Sequence, residues 1–214
     1  MPSSRSLAVR ELPLFPLPGV VLFPGRPLPL HIFEYRYRMM LNTVLESDRC
    51  FGVLLWDANA EQAARIGCSA EVIQSQRLPD DRYNIMTEGQ RRFRVLEYVR
   101  EKPFRVGLVE WIDDEPDEND LTKLVSDTQA LLKDVVHLSS KLTDREIELP
   151  DDIPDDPADL SYWIGGHFQG AVEEQQALLE IRSAAERLRR EAELLETTRK
   201  HLAARTVLKD TFQG

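Results

Sequence analysis

The run RRFR places Arg91, Arg92 and Arg94 within four residues. Guanidinium forks match carboxylates and phosphates, so these three arginines are candidates for contact with an acidic partner or a nucleic-acid backbone. The plainer reading is a charged strand edge that discourages pairing with other strands. The remaining reactive residue types are scattered. His31 lies between Leu30 and Ile32, while His137, His167 and His201 have no second ligand at metal-binding spacing. Cys50 and Cys68 stand far apart with no CxxC partner, which predicts free, buried thiols. The acidic run DDIPDD (151–156) lacks the alternating ligands and glycine of a calcium loop. GGHFQGA (165–171) has Ala171 where a phosphate-binding loop requires lysine, and GxGxxG, HExxH and GxSxG are absent. The sequence therefore predicts no metal, no cofactor and no catalytic constellation.

A second kind of chemistry is apolar recognition. ELPLFPLPGVVLFPGRPLPLHIF (11–33) sets Phe15, Leu17, Leu22, Phe23, His31, Ile32 and Phe33 among six prolines. Proline has little conformational freedom left to lose, so such a segment offers apolar side chains at low entropic cost. These residue types are also the commonest core residues, and the sequence does not separate the two roles. Near the other end, Ile181, Leu188, Leu195 and Leu202 repeat at seven. That narrow seam fits a partner helix, a second copy of the chain, or docking within the chain's own helical half.

The elements that must position these residues change period along the chain. GVVLF (19–23), CFGVLLW (50–56), SAEVIQSQRL (69–78), YNIMTEG (83–89), RRFRVLEYV (91–99) and FRVGLVEWI (104–112) read as short strands separated by turn signals. In this reading the prolines bracket the first strand. One helix interrupts them over 33–48, with Tyr37, Met40, Leu41, Val44 and Leu45 on one stripe. Beyond the linker DDEPDEND (113–120) the pattern is helical. Residues 121–138 are amphipathic, Asp156-Pro157 reads as an N-cap followed by proline at the first helical position, and a long last helix is expected from about 171 to 205. The predicted class is α+β: an antiparallel β-barrel over 9–115, then a helical subdomain over 118–205.

Charge follows the same division. Residues 1–112 hold 15 Lys and Arg against 13 Asp and Glu, whereas 113–214 hold 12 against 24, within a net charge of -10. Overall acidity, and no aromatic stacking platform beside the arginines, disfavour nucleic-acid binding. No run of about eighteen apolar residues predicts a membrane span. The opening MPSSRSLAVREL lacks an apolar signal core and reads as a frayed terminus on a cytoplasmic protein.

Taken together, LPLFPLPGVVLFPGRPLPLHIFEYRYRMML, FGVLL (51–55), IGCSAEV (66–72) and TEGQRRFRVLE (87–97) resemble the Lon protease N-terminal, substrate-binding domain family. DDPADLSYWI and QQALLEIRSAAERL (175–188) are similar to its helices, and the resemblance covers roughly 9–190. It implies a PUA-like barrel followed by a helical bundle with a long last helix. It also implies a non-catalytic form lacking the ATPase and Ser-Lys peptidase modules. The implied role is recognition of unfolded or apolar polypeptide segments, as an adaptor or quality-control factor beside a protease or chaperone. The competing expectation, RNA binding, follows from PUA-like barrels that occur in RNA-modifying proteins.

Overall fold

The computed structural model describes residues 9–117, 119–143, 145–150, 153–168 and 170–213. Of the terminus expected to fray (1–12), residues 1–8 lie outside the described residues, as do Asp151 and Asp152 of the acidic run, while residues 9–12 belong to a strand. The chain forms two units, one from Met1–Asp113 with Gly165–Glu180, the other from Asp114–Ile164 with Ile181–Gly214.

The first unit holds β1 (Val9–Pro18), β2 (Pro27–Ile32), α1 (Tyr35–Leu45), β3 (Cys50–Asp57), β4 (Gln62–Ala63), β5 (Ile66–Arg77), β6 (Tyr83–Arg100) and β7 (Arg105–Ile112). The strands run β1-β7-β6-β5-β3-β4 in one sheet, with β2 paired to β6. A parallel pairing of β1 with β3 closes the strands β1, β7, β6, β5 and β3 of this path into a barrel, with β4 beyond β3; the other pairings are antiparallel. Closure satisfies backbone groups that an open sheet would leave at its edges. The two strands expected over 83–99 are one continuous β6, which pairs with β5 from Tyr83 to Arg94 and with β7 from Arg92 to Arg100.

The strand expected at GVVLF lies elsewhere. The proline-bearing segment is itself β1, while residues 20–23 form an irregular connection with Leu22 and Phe23 buried. The reason lies in how β1 changes partners at Leu14. Val9–Leu14 pairs with β7, and Leu14–Pro18 pairs with β3. Backbone N–H groups alternate sides along a strand, and proline fits where no ladder N–H is needed. If the even residues face β7, Pro13 points away from β7 in the stretch that β7 covers. Pro16 and Pro18 then point toward the side β7 has already left. One phase of the alternation suits all three.

Period two also divides β1 and β3 between two apolar clusters. Leu12 and Leu14 pack with Leu54, Phe93, Val95 and Val109. Phe15, Phe51 and Val53 join α1 through Tyr37, Met40, Leu41 and Val44, the stripe anticipated from the sequence. Helix α4 (Val172–Glu180) belongs to this unit as well. Its Gln176 Nε2 donates to Ile66 O at 3.1 Å, and Leu178 and Leu179 are buried.

The second unit contains α2 (Thr122–Thr143), most of α3 (Pro157–Gly165) and α5 (Ala184–Gln213). Asp156 caps α3 as expected, its Oδ1 accepting from the N–H groups of Ala158 at 2.9 Å and Asp159 at 3.1 Å. The single long helix expected from 171 is broken at 181–183. Ser183 starts a new one, its Oγ accepting from Glu186 N at 3.1 Å, and SAAE (183–186) is a capping-box signature. The break frees Ile181 O, which accepts from Arg187 Nη1 at 2.9 Å.

Candidate functional site

A concavity of about 1130 Å³ opens on the first unit. It is lined by residues 15–18 of β1, by Leu30, His31, Phe33, Glu34, Arg36 and Tyr37 where β2 passes into α1, by Trp56 of β3, and by residues 101–105 at the entry to β7. Alternation places Phe15 and Leu17 together, opposite Leu12 and Leu14. The Phe15 ring rests against Tyr37, with centroids 4.1 Å apart, and against Phe51 at 6.1 Å. Burial pushes the Tyr37 phenol above its ordinary pKa.

Of the seven apolar recognition candidates, four line this groove: Phe15, Leu17, His31 and Phe33. Phe33 is 61% exposed, a large apolar side chain held in water. His31 is anchored by hydrogen bonds, its Nδ1 donating to Asn84 Oδ1 at 2.7 Å and its Nε2 accepting from Arg82 Nη1 at 3.4 Å. Its ring stacks on Phe33 at 6.1 Å. Leu22, Phe23 and Ile32 are buried and line no part of this groove, and Phe15, which does line it, is itself only 7% exposed. Tyr37, known from the sequence only as part of the helix stripe, also lines the groove, as do Trp56, Phe104 and Arg105, which the sequence did not single out. No local signal marks them, because pairing between distant strands brings them in; Trp56 reaches the groove opposite Pro18.

The cations of the groove differ in their surroundings. Arg36 lies over the Tyr37 ring at 4.6 Å and pairs with Glu34, at 2.9 Å through Nε and 2.8 Å through Nη2. Arg105 lies over Trp56 at 5.3 Å and over Tyr98 at 5.5 Å.

The arginine run does not form one surface. Arg92 is 2% exposed, and its Nη1 donates to Leu179 O at 2.8 Å, near the C-terminal end of α4. It is therefore removed as a surface contact: Arg92 lies beneath α4 rather than on a charged strand edge. Arg91 and Arg94 are exposed and pair with Asp113 and Glu110, each at 3.1 Å. In the seam, Leu188 and Leu195 are buried and Leu202 is half-buried, while Ile181 stands in the break before α5. Helix α5 packs along α2, so the apolar area of Leu188 and Leu195 is already used within the chain. Both cysteines are free; Cys68 is buried and Cys50 half-buried, and burial raises the pKa of each thiol. Among the described residues no group of three His, Cys, Asp or Glu side chains is placed to hold a metal ion, and no helix is long and apolar enough to cross a membrane.

Comparison with known proteins places this architecture. Residues 11–197 match the family described as the ATP-dependent protease La (LON) substrate-binding domain. The Lon protease of Anaeromyxobacter dehalogenans is 26% identical over 211 residues, covering 95% of this chain and 25% of that protein. Lon protease 2 of Myxococcus xanthus is 27% identical over the same length and shares. The chain thus spans about a quarter of the length of these relatives. A Lon N-terminal domain protein from Xanthomonas campestris, known from its crystal structure, superposes with a TM-score of 0.61 at 25% identity, covering 85% of this chain and 96% of that one. The N-terminal domain of a Mycobacterium avium complex Lon protease shares the fold, with a TM-score of 0.69 at 16% identity over 87% of this chain and 98% of that one. This chain belongs to the Lon substrate-binding domain family.

Proposed function

We propose that this chain is a non-catalytic recognition module for unfolded or apolar polypeptide segments, serving as an adaptor or in protein quality control. The observation that carries this reading is the groove of about 1130 Å³, in which Phe15, Leu17, Phe33, Tyr37, Trp56 and Phe104 gather from four separate stretches of chain. A largely apolar concavity with a few polar groups at its margin suits an apolar side chain that an unfolded polypeptide exposes. Phe33 and Trp56 are the side chains expected to bury most additional surface, being incompletely covered in the free protein.

Fluorescence offers a direct test. Reduced, carboxymethylated casein or apolar peptides should perturb Trp56 emission and bind with a dissociation constant on the order of 10 µM. The double substitution Phe33→Ala and Trp56→Ala should weaken binding roughly tenfold or more, measured by anisotropy of labelled peptide. Absence of binding at about ten times that concentration would falsify the reading. RNA retained by the purified chain, and released by salt or by Arg91→Glu with Arg94→Glu, would replace it.

A further inference from the structure

We infer that the groove selects segments carrying a carboxylate beside an apolar residue, and that Arg105 reads the carboxylate; the inference rests on the recognition reading above. Arg105 opens β7 and is half-buried. Its guanidinium lies over Trp56 and Tyr98, at 5.3 and 5.5 Å from the ring centroids. A guanidinium held over ring faces by its charge makes no hydrogen bond to them, so its N–H donors stay available. Among the described residues no carboxylate lies within ion-pairing distance of Arg105, and no hydrogen bond occupies its donors. Arg36, in the same groove, is by contrast already held by Glu34.

Charge complementarity points the same way. Arg36 and Glu34 offset one another, leaving Lys102 and Arg105 against Glu101, a balance of +1 in a chain whose net charge is -10. The aromatic neighbours restrict water around the guanidinium, which strengthens its attraction for an anion relative to a fully exposed arginine. A planar fork pairs bidentately with a carboxylate, and the incompletely covered Leu17 and Phe33 lie in the same groove to take the adjoining apolar side chain. The occupant is therefore an extended peptide with one anionic anchor and one apolar anchor. The carboxylate has two possible sources, an internal Asp or Glu side chain and the C-terminus of the client chain.

Four fluorescein-labelled peptides of one apolar sequence separate these sources: an internal Glu or its Gln counterpart, each ending in a free acid or an amide. The expected result is a preference of about tenfold for the carboxylate in at least one of the two comparisons, shrinking as salt is added. The comparison showing the preference identifies the source. Arg105→Gln should abolish the preference while neutral peptides still bind, and Arg105→Lys should restore only part of it, since an ammonium lacks the fork. If Arg105→Gln lowers thermal stability, the four-peptide comparison and salt series on the unaltered chain decide alone. Binding of all four peptides within about twofold overturns the role of Arg105 and leaves polypeptide recognition standing. No binding by any peptide removes both.

Discussion

Glu191 is fully buried on α5, and neither carboxyl oxygen has a hydrogen-bond partner among the described residues. Burial pushes its pKa from an ordinary 4.5 up to about 9, while Arg187 one turn earlier pulls it only partly back. That arginine is engaged elsewhere: Nη1 donates to Asp114 Oδ1 at 2.9 Å and Nε to Ser161 Oγ at 2.8 Å. The folded chain keeps a proton that the unfolded chain releases near 4.5, so stability falls as pH rises from about 4.5 to about 9. Glu191→Gln should raise stability at pH 7 by up to about 3 kcal/mol and flatten that slope. Urea unfolding at pH 5, 7 and 9 measures both, and an unchanged slope in the variant would remove Glu191 as its source. Arg92 supplies a second contrast at this scale. Arg92→Met should destabilise by about 1–3 kcal/mol, because Leu179 O loses its buried donor. Arg91→Glu and Arg94→Glu should stay within about 1 kcal/mol. Melting temperatures in the reverse order would return Arg92 to the surface.

At the scale of elements, the connection between β1 and β2 depends on Gly89 of β6. Gly25 N donates to Gly89 O at 2.7 Å, and Gly89 N donates to Arg26 O at 2.9 Å. A Cβ on Gly89 would stand 2.1 Å from Phe23 O, a backbone atom that cannot swing aside. Gly89→Ala should therefore cost about 2 kcal/mol or more and loosen the connection that buries Leu22 and Phe23. Faster hydrogen exchange at residues 22–26, with exchange in α2 unaffected, is the expected signature. The proline positions in β1 carry a related lesson. Their number and spacing are plain in the sequence, yet the strand was expected at GVVLF because β-branched runs outweigh prolines in any local count. The partner switch at Leu14 reverses that judgement, and it depends on strands that follow β1 by about forty and ninety residues.

At the scale of the whole molecule, the chain leaves the barrel at Asp113 and supplies it again with Gly165–Glu180. A fragment ended at Asp113 would lack Leu179 O for Arg92 and Gln176 for Ile66 O. We expect it to unfold at a lower temperature than the barrel of the intact chain. Adding a synthetic peptide of residues 165–180 should recover part of the loss. Calorimetry checks this, and a fragment as stable as the intact barrel would show that α4 is dispensable.

The sequence by itself determined the class of each half, the α1 stripe, the Asp156 cap and the turn between β5 and β6. These follow from local periodicity and from residues whose backbone preferences act within a few positions. It also carried the family, because the motif over 11–40 and the strands after it resemble that family in order. Tertiary structure decided which apolar residues of the opening segment became core and which became groove wall. Leu22 and Ile32 are as apolar as Leu17, and burial depends on what crosses them rather than on their type. It also decided that Arg92 lies beneath α4 while Arg94, two residues along the same strand face, remains in water. Strand pairing and helix docking join residues tens of positions apart, and local patterning contains no term for that separation.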